Sequence, residues 1–307
     1  MRPFVGREAL YDGRVTVHQL RTKHQLLLPD IYLPGHDRPT LWQRTVAAWL
    51  WSHRQGVVAG KAAAALHGAQ WIDDDEIVDL VWAQARPPHG VRTTDPRLPR
   101  QEFQEVDGMR VTTPARTAFD IGRQHPRRPL SWHTVAHLDA LAAATGVTRD
   151  AVAALAEDHR GARGIRKLRQ ALELLDAGAQ SPQETRVRFL VIKAGMPPPK
   201  TQIPVFDPLE RCWYFVDVGW EELEVGIEYE GDYHRTDRVR YAKDIKKRDG
   251  LTRLGWRIVW VLKEDSDSDI IRRARQARET AQDAGIQRKS RTLCSLGEKG
   301  GGEKGGG

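Results

Sequence analysis

Cys212-Trp213-Tyr214-Phe215-Val216-Asp217-Val218-Gly219-Trp220-Glu221-Glu222-Leu223-Glu224-Val225-Gly226-Ile227-Glu228-Tyr229-Glu230 is the stretch whose reading decides the fold. It reads as two strands, Cys212 to Val218 and Leu223 to Glu230, turning at Gly219-Trp220-Glu221-Glu222. Successive side chains of a strand point to opposite faces. Leu223, Val225, Ile227 and Tyr229 therefore share one face, and Glu224, Gly226, Glu228 and Glu230 the other. Three glutamates on one strand face repel each other unless they are solvated or hold a cation. In the first strand Trp213, Phe215 and Asp217 share a face, with Asp217 at the strand end. A hairpin of this kind brings Asp217 close to Glu228.

Upstream, Ser181-Pro182-Gln183-Glu184 carries the marks of a helix start: a serine cap, proline in the first turn and an acid at the third helical position. The helix continues through Val187, Leu190 and Val191, and Met196-Pro197-Pro198-Pro199 breaks it. A strand from Gln202 to Phe206 leads into the hairpin. Glu184, Asp217 and Glu228 then form a candidate trio of hard oxygen ligands. Mg²⁺ suits one or two direct carboxylates plus waters and phosphate oxygens, with Mn²⁺ as the alternative. An exposed acidic hairpin with no ligand is the competing reading of these residues.

Downstream, Gly231 permits a bend after Glu230, and His234 follows as a candidate proton donor or phosphate contact. A helix is expected from about Thr236 to Leu254, with Tyr241, Asp244, Lys247, Arg248 and Leu251 at spacings of three or four. Asp244 and Arg248 form an i, i+4 pair, and Asp244 is assigned a supporting polar role. Arg257 to Leu262 reads as a buried strand and Ile270 to Ala284 as a closing helix. The order α-β-β-β-α-β-α predicts a mixed α/β domain.

The charge pattern agrees with this reading. The 307-residue chain carries a formal charge of +7. Between Val205 and His234 the net charge is −8, and between Arg235 and Arg291 it is +8. Carboxylates that hold a divalent cation beside a basic surface that holds phosphates would give such a pairing. Arg235, Arg238, Arg240, Lys243, Lys246, Lys247 and Arg248 are the candidate nucleic-acid contacts.

Composition narrows the class. With 40% hydrophobic and 29% charged residues the chain can build packed cores. It has no apolar run long enough for a membrane span, and its first residues lack the apolar core of a signal peptide. Two cysteines, Cys212 and Cys294, build neither a disulfide framework nor a cysteine zinc site. A reducing, cytoplasmic setting is expected. His133 and His137 are four apart but lack a second ligand pair for zinc. The Gly-x-x-x-x-Gly-Lys-Ser/Thr loop of nucleotide-driven proteins is missing.

Residues 1–90 read as a small, mainly helical unit. Leu41 to Ser52 is expected to be a helix capped by Thr40, and Lys61 to His67 an alanine-rich helix stopped by Gly68. Leu26 to Leu28 and Gly56 to Val58 are strand-like, so a winged helix-turn-helix is compatible. Ile77 to Trp82 and Met109 to Thr113 read as strands. Thr113-Pro114 opens a helix, and Trp132 to Ala144, Asp150 to His159 and Ile165 to Ala177 are expected to be helical. The tail from Gly297 to Gly307 is low-complexity.

Two resemblances follow from these motifs. Asp217, Ile227-Glu228-Tyr229-Glu230-Gly231-Asp232-Tyr233-His234, Asp244 with Arg248-Asp249, and Leu254-Gly255-Trp256-Arg257-Ile258-Val259 resemble the very-short-patch-repair-like branch of the PD-(D/E)XK nuclease superfamily. They are also similar to the endonuclease-like C-terminal domains widespread in actinobacterial proteins. This resemblance implies a restriction-endonuclease-like fold, metal ligation by Asp217 and Glu228, and Glu184 as the helix-borne acid. The family's lysine two residues after the glutamate is replaced by Glu230, which leaves Lys243, Lys246 or Lys247 to substitute. Asp30-Ile31-Tyr32-Leu33-Pro34-Gly35, Gly56 to Gly68, and Val111 to Asp120 are similar to the helix-turn-helix domains of AbiEi-type antitoxin regulators. That resemblance implies DNA binding.

The expected organisation is a winged-helix-like DNA-binding region at 1–125, a helical connector at 126–180, a nuclease-like domain at 181–286 and a disordered tail at 287–307. The main functional expectation is a Mg²⁺-dependent DNA endonuclease, with Asp217, Glu228, Glu230 and His234 in the catalytic set. A non-cleaving DNA-binding regulator or antitoxin is the alternative. Double-strand cutting ordinarily takes two active sites, so a homodimer is one expectation for a cutting enzyme.

Overall fold

The computed structural model describes residues 1–83, 86–94, 97–230 and 238–298, with backbone alone for 238–242 and 287–298. The chain divides into two units, Met1–Gly178 and Ala179–Gly307.

In the first unit the strands β1 (Phe4–Val5), β2 (His24–Leu28) and β3 (Ile31–Pro34) form an antiparallel sheet in the order β1-β3-β2. Two short helices, α1 (Gly6–Tyr11) and α2 (Val17–Lys23), precede the β2–β3 hairpin. Helix α3 (Leu41–Trp51) starts at a reciprocal cap: Gln43 N–H donates to the Thr40 hydroxyl, and the Gln43 side-chain oxygen accepts from Thr40 N–H at 2.9 Å. Thr40 was legible as that cap.

A second sheet joins β4 (Val57–Ala59), β5 (Val78–Val81), β6 (Val91–Thr94), β7 (Phe103–Val106) and β8 (Met109–Thr112), in the order β6-β5-β4-β8-β7. Its β5–β6 and β4–β8 pairs are parallel, and its β4–β5 and β7–β8 pairs antiparallel. Helix α4 (Gly60–Leu66) follows β4 directly. Val46, Ala47, Ala63, Leu80 and Val111 build the core between the helices and this sheet. Residues 1–90, expected to be mainly helical, carry the helices α1 to α4 together with the strands β1 to β5. Strands from both sheets run through them, and β5 and β4 find partners beyond them in β6 and β8.

Four more helices complete the unit: α5 (Pro114–Arg123), α6 (Trp132–Thr145), α7 (Arg149–Asp158) and α8 (Ile165–Leu172). Thr113 caps α5 and Pro114 opens it, as read from the sequence. Phe119, Leu138, Leu141, Val152 and Leu168 bury their side chains in one cluster. The segment 126–178 is thus no separate connector, since its helices close over α5. A buried ionic network ties α5 to its surroundings. Arg116 pairs with Glu102 and, at 3.0 Å, with Asp120, while His159 lies 2.8 Å from the other Glu102 oxygen.

The second unit runs α9 (Pro182–Lys193), β9 (Lys200–Asp207), β10 (Cys212–Trp220), β11 (Val225–Tyr229), α10 (Arg238–Arg253), β12 (Arg257–Val261) and α11 (Asp267–Glu298). Its sheet has the order β12-β11-β10-β9, antiparallel throughout except for the parallel β11–β12 pair that α10 bridges. Val187, Val191, Trp220, Ile227, Val259 and Ile270 fill the core on one face. Ile203, Val216, Leu251 and Trp256 fill the other. This is the mixed α/β order expected from the sequence. Two details differ. The hairpin turns later, through a 3₁₀ turn at Glu221–Leu223 closed by Glu224 at φ 52°. Helix α11 continues to Glu298, so residues 287–298 are helical rather than a disordered tail. Among the described residues no helix is long and apolar enough to cross a membrane.

Candidate functional site

The second unit gathers buried charge where the β10–β11 ladder ends. Those strands pair from Trp220↔Val225 to Val218↔Ile227. One residue further, carboxylates take over from backbone acceptors. Asp217 N–H donates to Glu228 Oε1 at 3.1 Å, and Tyr229 N–H donates to Asp217 Oδ2 at 3.2 Å. The two carboxylates thus hold each other's strand. The Glu228 side chain is 5% exposed and that of Asp217 19%.

Helix α10 supplies the cation. Lys247 Nζ donates to Glu228 Oε2 at 2.5 Å and lies 3.8 Å from Asp217 Oδ1. The backbone of Gly250, one turn on, packs against the Tyr214 ring of β10 and sets how close α10 comes. From α9, Glu184 is buried and accepts from Gln180 N–H and from the Gln202 side-chain amide, each at 3.0 Å. Gln202 reaches it from a left-handed position in β9, at φ 49°. Such a conformation costs a non-glycine residue about 1 kcal/mol or more and is found where geometry is constrained by function or packing.

The electrostatics follow from burial. Burial pushes the Glu228 carboxyl above the usual carboxylate range, and the Asp217 charge adds to this while Lys247 opposes it. Burial also raises Asp217, with Lys247 and the Tyr229 N–H opposing and Asp244 adding. Glu184 is raised by burial, and the charge of Asp217 contributes, so the two sit within electrostatic reach. One lysine does not neutralise this set. Additional positive charge at Asp217 and Glu228 would relieve a cost that the fold otherwise carries.

Asp217 and Glu228 converge. Glu184 approaches but is engaged by Gln180 and Gln202. Among the described residues no three Asp, Glu, His or Cys side chains form a metal cage, so the expected trio reduces to a carboxylate pair with a neighbouring acid. Glu230 lies just past β11 and pairs with Arg248 at 3.7 Å, outside the Asp217–Glu228–Lys247 contacts. The Arg248 guanidinium stacks 4.2 Å above the Trp260 ring. Asp244 is half-buried on α10, and Lys243 and Lys246 are exposed there. His234 and Arg235 lie outside the described residues, as do the side chains of Arg238 and Arg240. The sequence reading missed Gln202, because an amide in a strand carries no periodic signal.

The acidic and basic blocks fold onto each other. Arg253 pairs with Asp207, Lys247 with Glu228 and Arg248 with Glu230. Lys247 and Arg248 are therefore ion-paired in the protein rather than free cations awaiting phosphate.

Comparison with known proteins places the first unit. Residues 52–174 match the family described as AbiEi antitoxin C-terminal domain. The AbiEi resemblance read over residues 1–125 is met in part: the match is to the family's C-terminal domain and covers residues 52–174. Two uncharacterized proteins of Mycobacterium tuberculosis, from strains CDC 1551 / Oshkosh and ATCC 25618 / H37Rv, are each 32% identical over 170 residues. The match takes in 53% of this chain and 58% of each relative's length. Over residues 52–174, from the end of α3 past α8, the chain is similar to an antitoxin domain.

Proposed function

We propose that the protein is a DNA-binding regulator of the antitoxin class. The observation that carries this reading is the antitoxin-domain match over residues 52–174. The β2–β3 hairpin preceded by two short helices supports a winged-helix-like unit ahead of that match. The positive overall charge is in keeping with a polyanionic partner.

A second reading has its own observation. The Asp217–Glu228–Lys247 constellation supports metal-dependent phosphodiester hydrolysis by the second unit. The α-β-β-β-α-β order with antiparallel and then parallel pairing favours a restriction-endonuclease-like fold of the very-short-patch-repair type. Lys247, arriving from α10, takes the place that Glu230 leaves vacant in the motif. The two carboxylates fit Mg²⁺, which keeps several waters and uses few protein ligands. Mg²⁺, or Mn²⁺, would lower the pKa of a bound water and offset phosphate charge. Asp217 and Glu228 would hold it. The Lys247 ammonium, held on Glu228, would orient a water. Glu184, held by Gln180 and Gln202, would keep the site acidic.

One experiment separates the readings. The full chain is mixed with labelled duplex and plasmid DNA, with and without Mg²⁺ or Mn²⁺. Tight binding without cutting is expected for the regulator. Metal-dependent cutting that disappears in Asp217→Asn and Glu228→Gln establishes the hydrolase. Cutting that survives both substitutions removes the assigned site, and failure to bind DNA overturns the regulator.

A further inference from the structure

The end of α5 and the start of α8 in the first unit bring basic residues close to one exposed imidazole, that of His125. His125 follows the C-terminus of α5 and adopts a left-handed φ of 50°. The turn it opens is closed by Arg128 N–H donating to the His125 carbonyl at 2.9 Å. Lys167, in the first turn of α8, donates to the carbonyl of Gln124 at 2.9 Å. Gly164, the left-handed residue before α8, packs directly on the Arg123 backbone, so α8 begins against the end of α5. No side chain caps the first turn of α8.

Behind this junction two acids hold two of the cations. Asp79 of β5 accepts two bonds from Arg92 of β6, at 2.5 and 2.8 Å, and one from the Gln124 amide at 3.2 Å. Glu76 pairs with Lys61 of α4. Among the described residues neither Arg128 nor Lys167 has a carboxylate partner, and exposed Arg127, Arg163 and Arg166 flank them. The imidazole reports the resulting field. Partial desolvation, then the charges of Arg92, Arg128, Lys167 and Lys61, hold His125 below its ordinary range. Lys167, held by its bond to the Gln124 carbonyl, loses little further freedom when it meets an anion. The uncapped N–H groups of a helix start favour the same charge.

We infer that the junction of α5 and α8, formed by His125, Arg128 and Lys167, seats a backbone phosphate of duplex DNA. This deepens the regulator reading and rests on it. The seat reads no base. It fixes the protein on the duplex, and its contribution is salt-dependent. A bound phosphate also opposes the cationic field, so the His125 imidazole titrates at higher pH in the complex.

The test uses the full chain and a short duplex of arbitrary sequence, with affinity measured by fluorescence anisotropy across a salt series. Lys167→Ala and Arg128→Ala should each weaken binding and lower the slope of log affinity against log salt by about one. Lys167→Arg should restore the slope. Arg128 is exposed and makes no side-chain bond among the described contacts, so Arg128→Ala stays informative if Lys167→Ala loosens the junction. In parallel, the imidazole resonances of His125 are titrated with the duplex and with inorganic phosphate. An upward shift of its pKa with the duplex is expected. Wild-type binding with unchanged slopes in both alanine variants overturns the seat and leaves the regulator reading intact. A response to inorganic phosphate that the duplex neither reproduces nor displaces also overturns it, in favour of a small free anion. No wild-type binding to duplex overturns both.

Discussion

His137 shows how much one side chain can do far from any site. It lies in α6 and is pushed down to about 4, chiefly by burial and then by the charge of Lys61, with Glu76 and the Trp71 backbone opposing. The unfolded imidazole takes its proton near its ordinary value, while the folded one stays neutral. Between those values the unfolded chain binds more protons. His137 therefore contributes stability that is full above the unfolded value and is lost as pH falls through the folded one. Full expression of the shift is worth up to about 3 kcal/mol. Urea unfolding of the full chain should show a smaller loss from pH 7.5 to pH 4.5 in His137→Gln than in the wild type. Equal losses in the two proteins would remove this account of its acid sensitivity. From the sequence, His133 and His137 were excluded only as a zinc pair. The burial of His137 depends on how α6 packs, which its spacing does not reveal.

At the scale of the element, α10 is held by a contact that helix propensity alone would misjudge. Exchanging glycine for alanine inside a helix ordinarily stabilises by about 1 kcal/mol. At Gly250 an added methyl would run into the Tyr214 ring on β10. Overpacking of this kind costs roughly 1–3 kcal/mol, so Gly250→Ala should destabilise the second unit by about 1 kcal/mol. It should also move Lys247 away from Glu228, which carbon-detected NMR of the Glu228 carboxyl would register as a pKa rising further. A more stable variant with an unchanged carboxyl titration would refute the contact's role. The same contact explains what the sequence could and could not show of the site. Asp217 and Glu228 were legible because strand alternation isolates them among apolar neighbours. The choice of Lys247 over Lys243 or Lys246 was not, since it depends on the depth and rotation of α10 on the sheet. Elements followed the same division. Helix α9 was readable because Ser181, Pro182 and Glu184 mark its start. Strands β6 and β7 were not, because both lie at sheet edges and carry polar residues, with Arg92 and Thr93 half-buried and Thr94, Gln104 and Glu105 exposed. Helices α1 and α2 were missed because six and seven residues are too few for a periodic stripe.

For the whole molecule, the division into two units with separate cores makes the two functional readings independently measurable. The blocks of −8 and +8 that adjoin in the sequence both belong to the second unit, where Asp207, Glu228 and Glu230 meet Arg253, Lys247 and Arg248. At the Asp217–Glu228 pair a single lysine faces two buried carboxylates, so extra positive charge there would relieve a cost of burial. A ligand that binds only the folded state stabilises the unit that holds it, by about 2.7 kcal/mol at one hundred times its dissociation constant. Mg²⁺ bound at the carboxylate pair should therefore slow amide exchange in β10, β11 and α10 and leave β4, β5 and α5 unchanged. Duplex DNA seated at the α5–α8 junction should slow exchange around residues 121–128 and 164–168. Hydrogen exchange of the full chain, read by mass spectrometry with each ligand in turn, resolves the two. In Asp217→Asn the Mg²⁺ effect should vanish while the DNA effect at α5 and α8 remains. A Mg²⁺ effect that persists in that variant would overturn the metal assignment to Asp217 and Glu228, and loss of the DNA effect in it would show that the two sites are not independent.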